Sequence, residues 1–148
     1  MPVKDIARSN VVTISPDANL SEVVRVMGEK SVGSVVVESE DGPERIVSDR
    51  DLAFAVLGGE YDPEGTRVSD INTDALVTVE ATTGIYDVVE EMSEHGVRRV
   101  PVTEDGELVG IVSLSDIIVL LGMELQHVAN TIRTVSPAYE RLATELYD

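Results

Sequence analysis

Cysteine and tryptophan are absent from this 148-residue chain, phenylalanine occurs once, and only Lys4 and Lys30 are lysines. Without thiols there are no disulfides, no thiolate nucleophiles and no cysteine-based metal sites. With 3% aromatic residues, any slot for a flat ring has to be aliphatic. Apolar runs such as Ile117 to Leu121 are far too short to span a bilayer. The start Met1-Pro2-Val3-Lys4-Asp5 lacks a basic-then-apolar signal segment, so neither membrane nor export is expected and a cytoplasmic location is. Cations are scarce too: 11 Lys plus Arg stand against 28 Asp plus Glu, a formal net charge of −17. Duplex nucleic acid is thereby disfavoured as a partner, because its binding rests on cationic phosphate contacts. An acidic, lysine-poor surface repels itself at low salt and is screened within roughly 3 Å at about 1 M. The expected setting is a salt-rich cytoplasm, as in a halophilic archaeon.

What the chain does have is a hydrophobic fraction of 43%, ample for a packed fold, and an internal repeat. Val3-Lys4-Asp5-Ile6 returns 65 positions on as Val68-Ser69-Asp70-Ile71. The register holds without a gap: Val12-Thr13 becomes Val77-Thr78, Val23, Val24 and Met27 become Val88, Val89 and Met92, and Ile46-Val47-Ser48 becomes Ile111-Val112-Ser113. Val32, Val35 and Val37 match Val97, Val100 and Val102, and Asp51 matches Asp116.

Each copy reads alike. Val11–Ile14 and Leu76–Val79 are short β-branched stretches that predict strands. Leu20, Val23, Val24 and Met27, like Ile85, Val88, Val89 and Met92, sit at i, i+3, i+4, i+7 on one helical face. Asn19 with Glu22 marks a helix start, and Gly84 with Asp87 is its weaker counterpart. Strands are expected at Ser34–Glu38, Arg45–Val47, Arg99–Thr103 and Leu108–Val112, joined by acidic turns, with second helices opening at Ser48 and Ser113. The order is β-α-β-β-α, twice. The expected divisions are a first repeat over 1–59, a linker over 60–67, a second repeat over 68–122 and a helical tail over 123–148.

Gly110-Ile111-Val112-Ser113-Leu114-Ser115-Asp116-Ile117, His95-Gly96-Val97-Arg98-Arg99-Val100-Pro101-Val102 and Arg45-Ile46-Val47-Ser48-Asp49-Arg50-Asp51-Leu52 carry a family resemblance. Over roughly residues 2 to 123 the chain resembles the tandem cystathionine-β-synthase (CBS) domain pair, or Bateman module. The resemblance implies an α+β fold of two βαββα repeats packed about a pseudo-two-fold axis, with a C-terminal helical tail beyond. It also implies clefts for an adenosyl effector (AMP, ADP, ATP or S-adenosylmethionine) with no obligatory cofactor, and a homodimer.

The residues suit such a ligand. Ser48 and Ser113 stand at strand-to-helix junctions, where free N–H groups and the helix dipole favour phosphate. Asp51 and Asp116, one turn on, can accept hydrogen bonds from ribose hydroxyls. The structural alternative for Ser-x-x-Asp is a capping box. Arg98 and Arg99, expected on opposite faces by strand alternation, offer one phosphate partner to a given cleft, and Arg50 is a second candidate. Thr13, Thr78, Val97 and Pro101 complete the candidate set. The first copy departs from the family pattern at Arg45, opposite Gly110, and at Val36, opposite Pro101; the second has Ser115 where the first has Arg50.

His95 and His127 belong to no metal-like spacing, Glu90-Glu91 reads as a solvated helix face, and no nucleophile-and-base pattern stands out. No catalytic residue or metal ligand is assigned, and the chain is read as no enzyme. Leu121, Leu125, Val128, Ile132 and Val135 continue a helical stripe, covering the protein's own core or a partner. Ser136-Pro137 opens a further helix with Tyr139, Leu142, Ala143 and Leu146 on one face. The reading is a regulatory module that senses an adenosyl ligand and signals to a separate, unidentified protein. Its rivals are a structural dimerisation module with empty clefts and a small nucleotide-acting enzyme.

Overall fold

The computed structural model describes residues 1–71 and 73–136. They fall into two compact units, Met1–Val112 and a second that begins at Ser113. The first repeat runs β1 (Thr13–Ile14), α1 (Leu20–Lys30), β2 (Ser34–Ser39), β3 (Gly42–Ser48) and α2 (Asp49–Leu57). The second runs β4 (Val79–Glu80), α3 (Ile85–His95), β5 (Arg99–Glu104), β6 (Glu107–Ser113) and α4 (Leu114–Val135). Two three-stranded sheets result, ordered β1-β2-β3 and β4-β5-β6, so the fold is α+β with a duplicated unit. In each sheet the short first strand lies parallel to the second, and β2 meets β3 in antiparallel register. The first strands are shorter than the β-branched stretches predict, with two paired residues each.

Helical periodicity turns into burial at three of the four apolar positions of α1; Val24, expected on the same face, is 54% exposed. Leu20, Val23 and Met27 of α1 pack with Val35, Val37 and Val47 of the sheet and Leu52 and Ala55 of α2. Val88 and Met92 of α3, with Val100 and Val102 of β5, are buried in the second repeat. Each such side chain stabilises the fold by about 1.5–3 kcal/mol through the apolar area removed from water.

The two repeats are tied by a reciprocal exchange of their leading segments. Val3 donates its N–H to the Thr83 carbonyl at 2.7 Å, and 65 positions on Val68 donates to Ala18 at 2.8 Å. Lys4 donates to Ala81 and Ser69 to Pro16; Ile85 donates to Met1 and Leu20 to Thr66. Pro2 bridges Gly84, and Arg67 bridges Asn19. Every one of these contacts has its counterpart in the other direction, the signature of approximate two-fold symmetry. Val68 and Ile71 sit inside the first repeat's core, so that repeat is completed by chain leading into the second.

The helix starts follow the sequence. Asn19 and Glu22 form a reciprocal capping box on α1, whereas Gly84 caps α3 without a side chain. At the helix ends the copies differ: Gly96 takes the left-handed conformation naturally, but Ser31 is held at φ 54° in the equivalent place. A left-handed L-residue costs roughly 1–2 kcal/mol, so Ser31→Gly is expected to raise stability by about 1 kcal/mol in urea unfolding. No gain would mean that serine side-chain contacts offset the strain.

In the second unit α4 is a single 22-residue helix. The tail stripe from Leu121 to Val135 therefore continues the helix opened at Ser113, running through Gly122 despite its low helix propensity. Leu121, Leu125, Val128, Ile132 and Val135 are all exposed. The further helix expected from Ser136-Pro137, with Tyr139, Leu142, Ala143 and Leu146, lies outside the described residues.

Candidate nucleotide-binding cleft

A cavity of about 590 Å³ opens in the first unit where β3 passes into α2, within the range of small-molecule sites. Ser48, Arg50 and Asp51 line it from the first repeat, and Val97, Arg98 and Arg99 from the second. Six of the residues singled out in sequence are thus gathered around one space. Thr13 and Thr78 are exposed elsewhere and Pro101 is buried in β5; none of the three lines this cavity.

Ser48 and Asp51 form the capping box in full. Ser48 Oγ donates to Asp51 Oδ2 at 2.9 Å, the Ser48 N–H donates to the same oxygen at 2.8 Å, and the Asp51 N–H donates back to Ser48 Oγ at 3.2 Å. In the second unit Ser113 and Asp116 repeat this geometry, with Ser113 Oγ 2.7 Å from Asp116 Oδ2.

The expectation of free N–H groups for a phosphate at the start of α2 is corrected by these bonds. Asp49 gives its N–H to the Gly33 carbonyl at 2.9 Å, Arg50 to Asp49 Oδ1 at 2.8 Å, and Asp51 to Ser48. The first turn also holds two carboxylates, Asp49 and Asp51, which repel an anion and satisfy the dipole themselves. The Ser48 hydroxyl is likewise committed to the cap. An anion here has to be held by side chains.

The cationic residues of the lining are all arginines. Arg98 and Arg99 are both lining residues of this cavity. Because β5 begins at Arg99 and Arg98 occupies the bend before it, strict strand alternation does not govern the pair. Arg50 also lines the cavity, and its guanidinium carbon lies 5.4 Å from the centroid of the Phe54 ring, a cation–π contact with a residue that lines the neighbouring pocket rather than this one. Among the described residues no ion pair within 4.0 Å joins any of the three to a carboxylate. The lining sets these three arginines against three aspartates, Asp49, Asp51 and Asp74, so the cavity is charge-balanced within a chain of net charge −17, a locally less repulsive place for an anion.

The opposite requirement, a place for a base, comes from the edge of β3. Val36 turns its N–H to the Val12 carbonyl at 3.0 Å, and Val36 is the cross-strand partner of Ile46. Val36 and Ile46 are therefore a non-hydrogen-bonded pair, and the Ile46 N–H and C=O point away from β2. Ile46 lines the cavity, as do Val77 and Val97. One residue thus offers a donor and an acceptor side by side within an aliphatic wall. Ile46, Thr73 and Asp74 were not singled out in sequence. The strand pairing is the signal that finds Ile46, and it is invisible in a single chain.

Outside this cleft α3 brings together Glu91, Glu94 and His95, whose donor atoms lie within 4.8 Å of one another. Linear spacing had set His95 apart from any metal-like group; one helical turn supplies the proximity. His95 Nδ1 lies 3.0 Å from the Glu91 carbonyl oxygen. No described helix is long and apolar enough to cross a membrane.

Comparison with known proteins places this architecture. The CBS domain family matches residues 3–58 and 68–122. The uncharacterized protein MK0525 of Methanopyrus kandleri is 36% identical over 118 residues, 78% of this chain but 60% of that protein. The CBS domain-containing protein YhcV of Bacillus subtilis is 31% identical, covering 79% of this chain and 83% of its own length. Among solved structures, the CBS domain protein PAE2072 from Pyrobaculum aerophilum complexed with AMP superimposes with a TM-score of 0.70 at 28% identity, over 78% of this chain and 89% of the other. The relatives' organisms are diverse, and the shared feature is the repeated unit. With two matched repeats, two like sheets and an exchanged leading segment in each, the chain belongs to the CBS domain family as a tandem pair.

Proposed function

We propose that the cleft at Ser48–Asp51 binds an adenosyl effector, one of AMP, ADP, ATP or S-adenosylmethionine, and that its occupancy is read by a separate protein. The observation that carries this reading is the convergence of Arg50, Arg98 and Arg99 on the cavity that also presents the outward edge of Ile46. In this reading the adenine takes the Ile46 N–H and C=O between Val77 and Val97, and a ribose hydroxyl donates to Asp51. The arginines hold the phosphates. Ser48 positions the Asp51 carboxylate through the cap instead of touching phosphate. The AMP complex of PAE2072 supports the ligand class. Binding would favour one arrangement of the repeats over another and so shift a population. No covalent step is invoked.

A homodimer belongs to the same proposal, supported by exposed Val24, Phe54 and Leu57 on α1 and α2 and by the stripe on α4. That exposed apolar surface also favours a second reading, a dimerisation module whose clefts stay empty. Cytoplasmic operation at high salt is proposed from the charge balance.

The deciding experiment is a thermal-shift panel in high salt with AMP, ADP, ATP, S-adenosylmethionine and a GTP control. A ligand at about 100 times its dissociation constant adds roughly 2.7 kcal/mol, a shift of several degrees. The expected outcome is stabilisation by adenosyl ligands and none by GTP. Folded protein that responds to none of them would leave the dimerisation module.

A further inference from the structure

The two repeats are not equivalent at the strand edge that faces the ligand, and the difference begins at one residue. In the second repeat the Arg8 N–H donates to the Ile111 carbonyl at 2.9 Å, and the Ile111 N–H donates to the Arg8 carbonyl at 3.0 Å. The edge of β6 is closed by the protein's own backbone. A Cβ added at Gly110 would lie 3.0 Å from Ala7 Cβ and 3.3 Å from the Arg8 carbonyl oxygen, so this close approach depends on glycine.

In the first repeat Arg45 replaces that glycine, and Arg8 and Ile111 correspond to Thr73 and Ile46. Here no described residue bridges Ile46 at its outer edge; Thr73 and Ile46 line the cavity instead. The paths of the two leading segments part at Ile6 and Ile71. Ile6 has ψ −10°, but Ile71 has ψ 146°, which swings its carbonyl to a new direction. That carbonyl accepts a hydrogen bond from Arg45 Nη1 at 2.9 Å.

We propose that Arg45 is a positioning residue that selects which of the two homologous edges stays open to ligand. By its bulk and its bond to Ile71 it keeps Thr73 off β3. Gly110 admits Ala7 and Arg8 onto β6, and Arg8 takes the donor and acceptor an adenine would need. The chain then offers one adenine edge, at Ile46, and binds one ligand per chain; this count rests on the adenosyl reading of the cleft, but the edge asymmetry does not.

The test compares wild type, Arg45→Gly, Arg45→Lys and Gly110→Ala, each checked for folding by circular dichroism. Amide hydrogen exchange is followed by NMR at Ile46, Thr73 and Ile111. In wild type the Ile111 amide is expected to exchange at least about tenfold more slowly than that of Ile46, because only the former is bonded. Arg45→Gly should let the segment close, slowing Ile46 and Thr73 exchange about tenfold and lowering ATP affinity in parallel. Arg45→Lys, still long and cationic, should keep Ile46 fast and binding near wild type. Gly110→Ala should speed Ile111 exchange by pushing Ala7 away. Unchanged Ile46 exchange in folded Arg45→Gly overturns the proposal, even if affinity falls, since Arg45 would then be a ligand contact. Two ligands per wild-type chain in calorimetry overturns it as well. If wild type binds no adenosyl ligand, the functional reading fails while the exchange comparison still decides the role of Arg45.

Discussion

Replacing Arg98 and Arg99 together by alanine is expected to weaken ATP binding by about 3 kcal/mol, roughly 150-fold. A charge-assisted hydrogen bond contributes about 1.5–3 kcal/mol, and neighbouring losses are not additive. Both residues line the cavity, and no described carboxylate pairs with either within 4.0 Å. Their removal therefore deletes ligand contacts without orphaning a protein partner, and stability should change little. Adenosine is the informative comparison. It lacks phosphates, so its affinity should fall by less than about threefold, the scale expected from a general change in field. Isothermal titration calorimetry of both ligands against both proteins, at one fixed salt concentration, measures the difference. Equal losses for ATP and adenosine would place the arginines away from the phosphate end. They would also return the helix start to consideration, although its first N–H groups are already bonded to Gly33, Asp49 and Ser48.

The second large effect concerns salt. With a net charge of −17, the folded chain concentrates repulsion that the unfolded chain dilutes. Raising KCl from about 0.1 M to about 1 M shortens the screening length from roughly 10 Å to roughly 3 Å. The melting midpoint is expected to rise by about 10 °C over that interval, equivalent to about 3 kcal/mol for a chain of this size. Most of the gain should come below about 1 M, where screening changes fastest. Differential scanning calorimetry across a KCl series, with sucrose at matched osmolality as control, separates the causes. A rise that continues linearly to high salt and is matched by sucrose would indicate exclusion of cosolvent from the surface. A flat midpoint would remove high-salt adaptation from the reading of the acidic surface.

The difference between what was legible in the chain and what was not has a consistent physical origin. Periods of local structure are written in consecutive residues. The spacing of Leu20, Val23, Val24 and Met27 anticipates a helical face that is buried at all but Val24, and Asn19 with Glu22 anticipates its cap. Ser48-x-x-Asp51 likewise carried both of its meanings in plain view. The structure realises the cap, which uses the hydroxyl and the helix-start N–H groups that a phosphate was expected to take. Alternation is no guide to Arg98, because it applies only inside a strand and β5 starts one residue later.

Composition and the 65-residue repeat were enough, without coordinates, to establish a duplicated α+β unit and to mark the serines, aspartates and arginines. They did so because periodicity, capping and charge are properties of neighbours along the chain. The reciprocal exchange of leading segments, the meeting of Arg50 with Arg98 and Arg99, and the open edge at Ile46 depend on contacts across long separations. The same is true of Arg45 and Ile71, 26 positions apart and joined by one hydrogen bond. A duplicated sequence predicts two like edges. Which of them the backbone covers is settled by whether a side chain stands in its path, and that exists only once the chain has folded back on itself.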